Sequence, residues 1–343
     1  DYAGSRIQGQ MFFSSGWEWG YWMGDVVAAR SAWQPFMNEP DDGEALRKAL
    51  WPIVRPFGRR AQEVRELLIR TIESQKDLLI YGRVNGTAPA DVNKRNGQAY
   101  LAGWDSLDDL GDIIGLIPFV DGIRTNPDRL QPIWIYNLFD DTPAYAEIEP
   151  LMEEMEDTFT TLAGEYAALK RGIPRRARSL YDEICDASRI TALRSVQMSG
   201  LYDYEFRTDQ SEDWRNQRLQ QAQAALDEGL VVVAQRQESY RVELERIAGW
   251  GYNPTSYPFG YLWTVKTLWY WWRDEGKVVD GRICPGYMNI INPVDLVFGE
   301  GPLNDFAKIL RRLGDFILRG LFEMCGAPDL EPTIPPYDLR SSP

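Results

Sequence analysis

The sequence predicts a mainly α-helical fold: a large irregular multi-helix bundle with long loops and at most one or two short strands near the N-terminus. Three observations lead there. Apolar residues recur at three- and four-residue intervals over several long stretches, the spacing of one helix face. The alternation of a half-buried strand is convincing in one place only, residues 6–13. The chain has 343 residues, 44% of them hydrophobic and 26% charged, which supplies a substantial core and argues against general disorder.

Residues 6–13 alternate and then run apolar, so they read as a short strand ending at Ser14-Ser15-Gly16. The aromatic and aliphatic positions of 19–33 suit a helix. After the turn Pro40-Asp41-Asp42-Gly43, one helix is expected over 44–81. Its stripe is Leu46, Leu50, Ile53, Val54, Phe57, Ala61, Val64, Leu67, Leu68, Ile72 and Leu79, and Pro52 and Pro56 should kink or divide its first half. The Asn-, Gly-, Pro- and Asp-rich stretch 82–103 reads as a loop. Ser106-Leu107-Asp108-Asp109 has the form of a capping box opening a short helix to about Phe119, and the arm 121–141 holds an extended piece at 132–138. Thr142-Pro143 supplies a hydroxyl cap and a first-turn proline for a helix reaching Lys170.

Two more long helices are expected over 174–206 and 212–250, the second with Leu219, Ala222, Leu226, Leu230, Val233 and Ala234 at helical spacings. An aromatic helix over 259–275, a loop over 276–302, a last helix over 303–325 and an extended tail with five prolines over 326–343 complete the chain. Its organisation is therefore an aromatic strand, helix and long-loop region at 1–141, a helical bundle at 142–325 and the tail at 326–343.

Composition excludes much chemistry. With no histidine, imidazole triads, histidine metal sites and histidine proton switches are ruled out. A net charge of −14 repels phosphate backbones, and no basic aromatic face offsets it, so nucleic acid is not an expected partner. No apolar run is long enough to span a membrane. Cys185, Cys284 and Cys325 lack CxxC spacing, which disfavours a zinc or redox motif; a Cys284–Cys325 bridge stays open in an oxidising compartment, and Cys185 reads as a small buried apolar residue. Neither a phosphate-cradling glycine loop nor a G-x-S-x-G elbow occurs. No metal and no cofactor is expected.

The first chemical candidate is Gly16-Trp17-Glu18-Trp19-Gly20-Tyr21-Trp22, followed by Asp25 and Arg30. Aromatic faces stack on the C–H faces of sugars, and a carboxylate between indoles is partly desolvated, which raises its pKa toward that of a general acid. Glu18 is then the acid and Asp25 the base or nucleophile of a two-carboxylate glycoside hydrolase, with Trp17, Trp19, Tyr21, Trp22 and Arg30 binding the ligand. Such a protein would be exported or displayed at the cell surface. The chain opens on Asp1 with no recognisable leader, a start that leader removal or proteolytic maturation would explain.

The competing reading is a non-enzymatic assembly subunit that holds partner chains through its aromatic helix, long loops and tail. Arg236, Glu238, Tyr240 and Arg241 with the segment 252–257 and the aromatic helix form a second constellation, read as core packing. The carboxylates Asp140, Asp141, Glu147, Glu149, Glu153, Glu154, Glu156 and Asp157 read as a solvated acidic face or a weak calcium site of oxygen ligands. Adjacent aspartates resemble the magnesium-diphosphate site of class I terpene cyclases, but Thr142-Pro143 follows where a third aspartate belongs and no second metal motif occurs. The basic stretch 170–178 reads as helix-end and helix-start charge around a turn. Asn85-Gly86-Thr87 fits the glycosylation pattern, relevant only in a eukaryotic secretory setting.

Overall fold

A computed structural model describes residues 41–89 and 145–239, with shorter pieces at 97, 101, 107–108, 131–132, 271, 274–276 and 278–279. The expected strand at 6–13, the helices at 19–33 and 303–325 and the tail lie outside these residues. Within them the architecture is mainly α, several helices packed together. They belong to two compact units, one drawn from 1–98 and 148–196, the other from 99–147 and 197–343.

In the first unit, Asp41 caps helix α1 (Asp42–Val54) by accepting from the Glu44 amide at 2.6 Å. Pro52 is tolerated in the final stretch of α1, and Pro56 stands near the start of a 3₁₀ stretch, Arg55–Arg60. The decisive break is Gly58, at φ 63 and ψ −126, backbone that side chains with a Cβ do not adopt without strain. Its missing Cβ would also lie 3.2 Å from Cγ of Pro174. The stretch 44–81 is thus divided in its first half, as expected, into α1 and α2 (Ala61–Ser74), with the break at Gly58 rather than at a proline, and α2 passes into a π-helical turn, Gln75–Ile80. The apolar stripe survives the break: every member is buried except Leu46 and Ile72, which are half-buried. Phe57 is fully covered and meets Tyr181 edge-on, ring centroids 5.3 Å apart. Burying such a ring is worth about 1.5–3 kcal/mol.

Helix α3 (Tyr145–Leu169) ends in a 3₁₀ turn, Lys170–Gly172. A second 3₁₀ turn, Arg175–Ala177, leads into α4 (Arg178–Phe206). The basic stretch 170–178 is thus a helix-to-helix connection, and Lys170 is paired with Asp182 at 2.8 Å. Loop 82–103 begins as expected, with a tight turn at 85–86 closed by the Val84 and Thr87 backbone pair. Gly97 and Leu101, however, are helical and buried. Gly97 is needed there because a Cβ would collide with Met155 Sδ and the Leu78 carbonyl.

In the second unit, Leu107–Asp108 (β1) pairs antiparallel with Gln131–Pro132 (β2), Leu107 opposite Pro132. This corrects the expected helix start at 106–109: backbone groups that a capping box would turn into a helix are used in a ladder. Helices α4 and α5 (Glu212–Ser239) form an antiparallel hairpin around a short turn in which Ser211 Oγ accepts from the Trp214 amide at 3.3 Å. Gly200 lets the two helices close, since a Cβ there would stand 2.6 Å from the Arg218 carbonyl. The buried face of α5 runs through Ala222, Ala225, Leu226 and Val232, while Leu219 and Leu230 are half-buried. Trp271 and Val278 are buried, and the aromatic helix continues past 275, with Val279 still helical.

Candidate functional site

All the residues assigned to sugar binding and cleavage, Trp17, Glu18, Trp19, Tyr21, Trp22, Asp25 and Arg30, lie outside the described residues. Arg236, Glu238 and the other residues of the second constellation have no described side chains, save Trp271, which is buried as core packing requires. The acidic positions of α3 that are described carry no cation site: among the described residues no group of three or more metal-ligating side chains could hold an ion. No helix among them is long and apolar enough to cross a membrane.

The densest polar chemistry that is described lies in the second unit, on the rear of α4. Asp203 is buried, and both carboxylate oxygens are engaged: Tyr145 Oη donates to Oδ1 at 2.7 Å and Arg218 Nε to Oδ2 at 2.6 Å. Arg218 spends its other nitrogens on Ser199 Oγ at 2.8 Å and Gln221 Oε1 at 2.6 Å. The side chains of Arg218 and Asp203 are only 15% and 8% exposed, so the charges face each other largely out of water. Around them Tyr145, Tyr202 and Phe206 pack ring on ring at 5.5–5.6 Å. Nearby, buried Gln197 donates to the Trp271 carbonyl at 2.8 Å, and Gln223 to Glu275 at 3.1 Å. A carboxylate held at both oxygens in this way fixes the geometry of the groups that donate to it.

In the first unit, neutral polar groups cluster around Tyr166. Tyr181 Oη donates to the Tyr166 carbonyl at 2.7 Å, and the Cys185 thiol reaches the same oxygen at 3.7 Å. Thr71 Oγ1 donates to the Leu67 carbonyl at 2.8 Å, so in its 2.9 Å contact with Tyr166 Oη the tyrosine is the donor. Burial pushes both phenols far above their ordinary range and lifts the Cys185 thiol to about 12, against the pull of the Tyr181 hydrogen bond and Lys170. At neutral pH that thiol is protonated and a poor nucleophile. Asp186 is the exception: burial, then the neighbouring Asp182 charge, raises its carboxyl to about 6, with Lys170 and Arg189 opposing.

The sequence held a signal for the second-unit network. Ser195, Ser199 and Asp203 recur every four residues beside the buried Met198 and Tyr202, so one helix face is both polar and covered. Polar side chains in phase with a core stripe require partners. What the spacing does not reveal is the partner, since Tyr145 and Arg218 come from other helices. Compared with known proteins, the chain matches no protein-family model, no curated protein and no solved structure.

Proposed function

We propose that the chain is a carbohydrate-associated protein that binds glycan through Trp17, Trp19, Tyr21, Trp22 and Arg30. Glycoside hydrolysis, with Glu18 as acid and Asp25 as base or nucleophile, is the extension of that reading. The observation that carries it is the block 16–22, four aromatic rings around one carboxylate in a chain without histidine. Carboxylates suffice for glycosidic cleavage, so the missing imidazole is no obstacle.

A glycan array tests the reading, with Trp17→Ala and Trp19→Ala as comparison. Each stacked indole lost should weaken binding by about tenfold, the equivalent of 1.4 kcal/mol. The proposal fails if no sugar binds or if both variants bind as the parent does. The alternative, an assembly subunit, draws on exposed Trp51, whose ring lies 5.7 Å from the Arg65 guanidinium. Size-exclusion chromatography with light scattering decides it, because a stable monomer removes the partner-chain reading.

A further inference from the structure

The dipeptide Asn-Gly occurs twice, at Asn85-Gly86 and at Asn96-Gly97. In sequence the two are equivalent, but the structure places their glycines differently. Asn85 and Gly86 are exposed at the tip of a tight turn, with φ of 48° and 75°. A Cβ on Gly86 would meet nothing within 4 Å, and the Gly86 amide donates to no described group. The turn is closed by two backbone bonds, Val84 N to Thr87 O at 3.0 Å and Thr87 N to Val84 O at 2.9 Å. One further bond fastens it to α3: the Asn85 amide donates to Glu154 Oε2 at 2.8 Å. Gly97, by contrast, is buried in helical backbone against Leu78, Leu79 and Met155.

We propose that Asn85 is a site of spontaneous amide-to-acid conversion, and that the conversion detaches the 82–89 turn from α3. The nucleophile is the backbone nitrogen of Gly86, which attacks Cγ of Asn85. A new N–C bond closes a five-membered imide, the Cγ–Nδ2 bond breaks, and the side-chain nitrogen leaves as ammonia carrying the amide proton. Water then adds to either imide carbonyl, giving aspartate or isoaspartate; no oxidant or reductant takes part. Glycine at the second position matters because no side chain hinders the attack and its backbone reaches the geometry readily. A turn held by so few bonds also opens cheaply.

The products do not fit where asparagine fits. Either one places a carboxylate on the residue whose amide rests on Glu154, and like charges that close repel. Isoaspartate also lengthens the main chain by one methylene, so the Val84 and Thr87 groups no longer face each other. The acidic face of α3, with Glu153, Glu154, Glu156 and Asp157, adds to the repulsion.

The test is peptide mapping by mass spectrometry on the full chain held in warm, mildly alkaline buffer, folded and in denaturant. In the folded chain Asn85 should convert at least about tenfold faster than Asn96, since the packed Gly97 backbone must unfold locally before it can attack. In denaturant the two sites should convert at similar rates. Equal rates at the two sites in the folded chain, or no conversion at Asn85, overturn the proposal. The detachment is read separately in Asn85→Asp by hydrogen exchange: the Val84 and Thr87 amides should exchange about tenfold faster than in the parent, and unchanged protection overturns that part.

Discussion

The two units differ in where their bidentate or multiply bonded ion pairs sit. In the first, Tyr166 and Tyr181 are buried beside the half-buried Cys185, Arg194 is buried as well, and the bidentate Arg70–Glu165 pair at 2.6–2.8 Å stands at the surface. In the second, a full charge pair, Asp203 and Arg218, is taken inward and tied to Tyr145 and Ser199. Neutral burial costs only what a hydrogen bond can repay. An inward ion pair is tolerable only while both halves are present, because either half alone is an uncompensated charge. Loss of the exposed Arg70–Glu165 pair should therefore matter far less than loss of the Asp203–Arg218 pair.

The largest effect tests that contrast directly. Arg218→Met strands the Asp203 carboxylate and should cost about 3–5 kcal/mol in denaturant unfolding. Arg218→Met with Asp203→Leu should regain most of it, because the pair is replaced by hydrocarbon rather than broken. A double variant no more stable than the single would mean that the network does not act as a pair.

A medium effect of opposite sign is expected in the first unit from Asp186→Asn. The folded carboxyl sits at about 6 against an ordinary 3.8, so as pH rises through this range the unfolded chain ionises first and stability is lost. The gap between 3.8 and about 6 sets an upper bound of roughly 3 kcal/mol, reduced to about 1–2 by partial solvent access. Removing the acid should stabilise the protein at neutral pH by that amount and change nothing well below 3.8, so the stability difference should grow with pH until about 6. A gain of the same size at every pH would trace to packing instead. The smallest effect is Arg70→Ala: half-exposed at 52%, its pairing with Glu165 should be worth less than about 1 kcal/mol and fade further in high salt.

What the sequence disclosed and withheld follows the range of the interactions involved. Helices α3, α4 and α5 announced themselves because apolar spacing is local, whereas Cys185, read as a small buried apolar residue, is half-buried and directs its thiol at the Tyr166 carbonyl. The split at Gly58 was harder: Pro52 and Pro56 drew attention, but the backbone turns at a glycine whose need for positive φ leaves no periodic trace. Leu107 and Asp108 misled because a capping pattern is silent about a strand partner more than twenty residues on, at Gln131 and Pro132. Asp203 depends on Tyr145, 58 positions away, and Arg218, 15 away, so its role was fixed by tertiary contact alone. The sugar-binding block at 17–22 was the reverse case, conspicuous in sequence and beyond the described residues.

The wide turn Gln75–Ile80 has its own consequence. Its closing bond runs from the Tyr81 amide back to the Lys76 carbonyl, five positions, where an ordinary turn spans four. The ladder thus carries a surplus link at this one place. Shortening α3, α4 or α5 by a residue would swing everything beyond it by about 100° around the axis and turn the buried side to water. Here a lost residue would merely tighten the coil, leaving Leu78 or Leu79 to keep facing inward and the hairpin beyond it in phase. Length variation in this protein has a natural place to be absorbed.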